Sequence, residues 1–220
     1  MGELREPPNF FRLTVERTSQ TYVDFTSGAG HFLSLARDEQ PGSFYFRVAA
    51  AVFAAFAVEA YLNDLGAEVF TFWKSLERLG ARDKAEVLHQ RLLTNAIDWG
   101  TRPFGSVNEL FDLRNRLAHG QTEIVSSSHV VVAETIEQAA ASDRGLESEI
   151  ERRCRLSVIE RYVADSRAVI ELLAEAHKPG SSPFLLASHS GGQVESLTRE
   201  EADRHERTRT SRPKGDDAQK

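Results

Sequence analysis

The polar groups best placed for chemistry lie in residues 107–119. Apolar residues recur there at Val107, Leu110, Phe111, Leu117 and Ala118, the spacing of one helical face. Arg114 occupies a position of that stripe, and its neighbours one turn away include no acid. Arg116 has Asp112 four residues before it, the arrangement of a solvated surface arginine. Arg114 is therefore expected to point into a helical bundle or an interface. Asn115 and His119 are four apart and share a face. Arg114 and His119 are about 140° apart around an ideal helix, and Gly120 is expected to stop the helix there. One ligand at that end, or a second subunit, would bring the two together. Histidine exchanges protons near neutral pH, and a planar, permanently cationic guanidinium stabilises charge on a phosphoryl group. A histidine in a last turn also complements the helix dipole, which is a purely structural role.

A second polar intrusion follows the longest apolar run. Val48 to Val58 is unbroken, and Glu59 comes next, with Asn63 one turn later on the same face. A carboxylate in such surroundings needs a cation or several donors. The economical expectation is that Glu59 meets Arg114 across two helices, with Asn63 adding hydrogen bonds. That contact would be either a structural ion pair or the support of a functional arginine.

The string Arg114-Asn115-Arg116-Leu117-Ala118-His119-Gly120 has the form Arg-Asn-x-x-x-His and resembles the Rx4–6H motif of the HEPN superfamily, small helical proteins of prokaryotic toxin–antitoxin and defence systems. Val58 to Leu65, with its Glu59 and Asn63, is similar to the long helix of those proteins. The resemblance implies an all-α bundle and a dimeric, metal-independent endoribonuclease that needs no cofactor. It further implies His119 as general base or acid and Arg114 as the group stabilising the phosphorane. Asn115 would orient His119 or the phosphate, Glu59 would hold Arg114, and Arg116 is a candidate RNA contact. Expected partners are RNA (tRNA or mRNA), a second copy of the chain and a neutralising antitoxin. The alternative is a non-catalytic HEPN-like module for dimerisation or for binding a nucleotide or partner.

The elements that must position these groups read as five or six helices. Helical pattern runs from about Phe11 to Arg37, with Gly28-Ala29-Gly30 as a possible break, and from Phe44 to Leu65, ending at Gly66. Shorter helices are expected over 68–79, 83–96 and 107–119, with Ser106 as a cap. Leu146 to His177 reads as one long final helix, since Leu146, Ile150, Cys154, Val158 and Tyr162 fall at i+4 steps. Residues 121–145 are ambiguous: Ile124-Val125 and 130–132 are strand-like, while 133–141 is helix-like. A helical domain over 1–178 and a disordered tail over 179–220 complete the reading.

Composition narrows the function classes. The chain has 220 residues, 27 Lys+Arg and 33 Asp+Glu, a formal charge of −6. Such a chain does not coat nucleic acid through many phosphate contacts. The tail carries seven basic and seven acidic residues, so the whole −6 belongs to the helical body. One cysteine excludes an internal disulfide and a multi-cysteine zinc site, and no HExxH, phosphate loop or Gly-x-Ser-x-Gly turn is present. The amino terminus lacks the pattern of a secretory signal, and eleven apolar residues fall short of the roughly 20 that span a bilayer. A cytoplasmic protein without a membrane partner is the expectation.

Overall fold

A computed structural model describes residues 10–17, 19–38, 41–120, 122–126, 128, 130, 132–141, 146–184 and 190–210. It divides into a unit over residues 20–186 and a second formed by residues 1–19 with 187–220. The chain is mostly helical, as the apolar periodicity predicts.

In the larger unit, α1 (Thr21–Ala36) is followed by α2 (Ser43–Val69), a 3-10 turn (Trp73–Ser75), α3 (Ala81–Leu93), α4 (Phe104–His119), α5 (Ile136–Ala141), α6 (Glu149–Arg153) and α7 (Leu156–His177). The alanines of α2 explain its central place. Ala50, Ala51, Ala54, Ala55 and Ala57 are all buried, and small side chains let α1, α3, α4 and α7 approach the same helix. By length and hydropathy α2 is also apolar enough to cross a membrane. Its neighbours cover the alanine face.

Two glycines, Gly28 in a possible break and Gly66 at an expected helix end, are packing sites instead. Helix α1 runs unbroken through Gly28, where a Cβ would fall 2.5 Å from the Phe53 ring on α2. Helix α2 continues past Gly66 to Val69, and the buried Trp73 ring lies where a Gly66 Cβ would be, 2.0 Å from its nearest atom. The segment 68–79 therefore forms the end of α2 and a 3-10 turn, not a separate helix.

The final helix is also two. Ser148 and Glu151 form a reciprocal capping box that starts α6, which ends at the buried Cys154. Arg155 is extended and pairs with Glu147, so the i+4 stripe is continued by a new helix, α7. Two polar contacts tie α7 to α4 and the loop before it. Arg161 Nη2 and Tyr162 Oη donate to Glu109 Oε2 at 2.6 and 3.1 Å. Burial, then the neighbouring Glu109 carboxylate, pushes the Tyr162 hydroxyl up to about 12. Arg102 donates two bonds of 2.7 Å to the buried Asp165. Of the strand-like residues in 121–145, Ile124, Val130 and Val132 are exposed and form no strand, because no apolar surface covers them; residue 131 lies outside the described residues.

The termini depart most from expectation. Phe10–Arg17 is a strand, β1, paired antiparallel with β2 (Ser190–Leu197), and Arg199–Thr210 forms α8. The anticipated helix from Phe11 thus begins only at Thr21, and part of the expected disordered tail is ordered. Cross-strand pairs supply the reason: Leu13 lies opposite Val194, and Arg12 bonds Glu195 at 3.1 Å. A capping box of Thr198 and Glu201 starts α8. The tail residues 185–189 and 211–220 lie outside the described residues.

Two outcomes test this packing. Gly66→Ala is expected to destabilise the chain by about 1–3 kcal/mol through forced displacement of Trp73, measured by urea unfolding; an unchanged midpoint would refute the close packing. Burial alone would raise the Asp165 carboxyl, but the paired Arg102 guanidinium outweighs it and holds the group below its ordinary value. The depressed folded value means that this contribution is present above the unfolded pKa and is lost as pH falls through the folded one. Asp165→Asn should therefore lower the urea midpoint at pH 7 and much less at pH 3. An equal loss at both pH values would show that the charge is not responsible.

Candidate functional site

The polar end of α4 is built by how that helix seats. Phe104, Val107, Leu110, Phe111 and Leu113 are buried, so the core face includes Leu113, while Ala118, assigned to the stripe from its spacing, is exposed. This rotation places Arg114 at the edge of the core. Its Nη2 donates to Glu59 Oε2 on α2 at 2.7 Å, and the two side chains retain 23 % and 30 % of their exposure. The pair anticipated across helices is present and half-buried. Asn63 does not join it: no hydrogen bond connects Asn63 with Glu59 or Arg114, and its Oδ1 is buried without a partner, as is Arg114 Nε.

Arg116 departs from its expected pairing with Asp112. Its Nη1 lies 3.3 Å from Glu149 Oε2, and Glu149 also meets Arg153 at 3.4 Å. The amino end of α6 is anchored beside α4, because the Glu149 backbone N–H is bonded by the Glu123 carboxylate. A carboxylate from a neighbouring helix therefore reaches Arg116, and Asp112 turns to a cavity. Asn115 and His119 are both exposed, one turn apart. Gly120 ends the helix with φ +28°, its N–H bonded to the Arg116 carbonyl. His119 makes no hydrogen bond or ion pair with a described residue.

The cavity, of about 550 Å³, opens between α2, α3, α4 and the loop before α4. Glu59, Asp112, Arg114 and Asn115 line it, whereas His119 does not. One chain thus joins Arg114 and Asn115 at a single cavity and leaves His119 outside it. The opposite wall consists of residues to which the sequence reading gave no role: Arg82 and Asp83 in the first turn of α3, Glu86, and Trp99. Glu86 Oε1 accepts the Trp99 indole N–H at 2.6 Å, and its Oε2 accepts the Ile97 N–H at 3.4 Å. Trp99 meets Phe104 edge to face at 5.9 Å, and the Arg82 guanidinium lies over the indole at 5.1 Å. A tryptophan in the polar run Asp98-Trp99-Gly100-Thr101-Arg102 was the available sequence signal, since such a residue must find both a hydrogen-bond acceptor and an apolar surface.

A smaller cavity of about 160 Å³ lies beside Tyr61, Asp64, Glu68, His177 and Lys178. There Lys178 and His177 hydrogen-bond Glu68 and hold its carboxyl below the ordinary range, although burial opposes them. Burial raises Asp64, and Glu68 reinforces that shift. No group of three or more candidate metal ligands occurs among the described residues.

Comparison with family models, curated proteins and solved structures finds no match to this chain.

Glu59→Ala should leave Arg114 half-buried without its counter-ion and cost about 1–2 kcal/mol of stability. Glu86→Ala should free the Trp99 indole and shift its fluorescence to the red. Retained stability in the first variant, or an unchanged spectrum in the second, would show that these contacts do not fix the cavity walls.

Proposed function

We propose that this chain is an RNA-cleaving enzyme acting as a homodimer, with Arg114 and His119 from two copies serving one scissile phosphate. The observation supporting this reading is the end of α4. Arg114 is oriented by Glu59 at the mouth of a cavity, while Asn115 and His119 stand exposed on the adjoining face of the same rigid helix. A site carried on a helix holds such groups more precisely than a loop does. An exposed histidine beside a helix terminator such as Gly120 is free to meet a second copy.

In this reading His119 removes the proton from a ribose 2′-hydroxyl. The 2′-oxygen bonds to phosphorus, the bond from phosphorus to the 5′-oxygen breaks, the leaving oxygen takes a proton from water, and the imidazolium returns its proton to the solvent hydroxide. The products are a 2′,3′-cyclic phosphate and a 5′-hydroxyl. Arg114 stabilises the charge that builds on the non-bridging oxygens, and Asn115 orients the imidazole or the phosphate. Arg116 is partly committed to Glu149, so its contact with RNA is secondary. An activity of this kind suits a toxin or an anti-phage effector restrained by a neutralising protein, acting on tRNA or mRNA in the cytoplasm.

One observation favours a second reading. Arg114 is already paired with Glu59, and His119 lies outside the cavity that Arg114 lines. A non-catalytic module for dimerisation or for binding a nucleotide or partner would need no more than that.

Expression of wild type and His119→Ala in a bacterial host separates the two. Growth arrest and RNA with cyclic-phosphate ends are expected for the wild type, with cleavage reduced at least a hundredfold in the variant. Equal effects of the two proteins, or no cleavage by the purified wild type, would overturn the nuclease and leave the non-catalytic reading.

A further inference from the structure

The cavity at Arg114 carries the wrong charge for a phosphate and suitable groups for a base. Four carboxylates, Glu59, Asp83, Glu86 and Asp112, outnumber the guanidinium groups of Arg82 and Arg114 in its wall. Glu59 is engaged by Arg114, and Glu86 by the Trp99 and Ile97 N–H groups. Asp83 and Asp112 are exposed and make no hydrogen bond or ion pair with a described side chain. A phosphate entering this space would meet net negative charge. A neutral ring presenting donors would meet acceptors.

Trp99 supplies the surface for such a ring. Its edge is fixed by Glu86 and Phe104, so the indole plane is set before any ligand arrives. The group over its face is Arg82, which is exposed and has no carboxylate partner among the described residues. A planar guanidinium therefore already occupies the place that a planar base would take, on a side chain free to swing away. The volume, about 550 Å³, accommodates a nucleotide-sized ligand.

We propose that this cavity is a nucleobase subsite selective for guanine. The base stacks on Trp99, and the Asp112 carboxylate accepts its N1–H and N2–H. Among the four RNA bases guanine alone presents two adjacent donors to a carboxylate fork on its Watson–Crick edge, and unstacked RNA bases are read in this way, by an aromatic face and an edge. Uracil places carbonyl oxygens on both sides of its one donor and is rejected. The location couples the subsite to cleavage. Asn115 lines the cavity and lies one helical turn, about 6 Å, before His119 on the same face. A base held in the cavity leaves its own ribose toward that face. This assignment rests on the RNA-cleaving reading for its substrate, but base binding can be measured without cleavage.

Calorimetric titration of the full chain with 3′-GMP and 3′-UMP tests it directly. The wild type should bind 3′-GMP at least tenfold more tightly than 3′-UMP. Asp112→Asn should abolish that preference, and Trp99→Ala should weaken 3′-GMP binding about tenfold or more. Circular dichroism checks that each variant is folded; where one is not, the wild-type comparison of the two nucleotides decides alone. RNA cleaved by the wild type should carry guanosine 2′,3′-cyclic phosphate at the new ends. Equal affinity for both nucleotides, or no binding of either, overturns the subsite. Cleavage with no enrichment of guanosine also overturns it and leaves the nuclease reading intact. Guanine selectivity in a protein that cuts no RNA supports the subsite and removes the nuclease.

Discussion

A carboxylate and a guanidinium at the rim of an apolar bundle must satisfy each other, and the pairing of Glu59 with Arg114 meets that demand. Glu59 follows the buried alanine face of α2, around which four other helices pack. Arg114 interrupts the apolar surface of α4. Both side chains are only partly exposed, so an isolated charge at either would be costly, and the bond between them helps hold α4 in the rotation that its apolar face sets. The rotation buries Leu113, exposes Ala118, and brings Asp112, Arg114 and Asn115 to one cavity. The position of every candidate group on α4 follows from it.

The same contact limits what a single chain can do. A guanidinium held by a carboxylate is oriented, and its charge is partly offset. The exposed His119, one face away, lacks a partner on its own helix. An arrangement of this kind suits a site completed by a second molecule better than one complete in a single copy. In the proposed subsite this also accommodates the body's net charge of −6: where negative charge lines the cavity, a neutral base would be recognised more easily than a phosphate, which the proposal leaves at the rim.

How much of this the sequence disclosed depended on the range of the interaction. The apolar periodicity of α2, α4 and α7 defined the bundle because a helix records its buried face locally. The Glu59–Arg114 pair was also legible, since a charge inside an apolar stripe demands a partner and each supplied the other's. Contacts set by neighbouring elements were not. Gly28 and Gly66 read as helix breakers, yet they admit Phe53 and Trp73, whose approach depends on chain folding back from elsewhere. Arg116 had a suitable acid four residues away and paired with Glu149 instead, because α6 delivers that carboxylate from outside α4. The strand pair joins residues about 180 apart in the chain, which no local period records, although the Thr198–Glu201 cap was readable. Trp99 and Arg82 acquire a shared wall only when the loop before α4 folds against α3.

Cleavage as proposed requires Arg114 and His119 to act together from two chains. Differently tagged Arg114→Ala and His119→Ala chains, co-expressed and purified as the mixed dimer, measure this directly. Each variant homodimer lacks one of the two functions, while the mixed dimer retains one arginine and one histidine on opposite copies. The account predicts that the mixed dimer cleaves RNA well above either parent homodimer and leaves cyclic-phosphate ends. A mixed dimer as inactive as its parents, beside an active wild type, would contradict it.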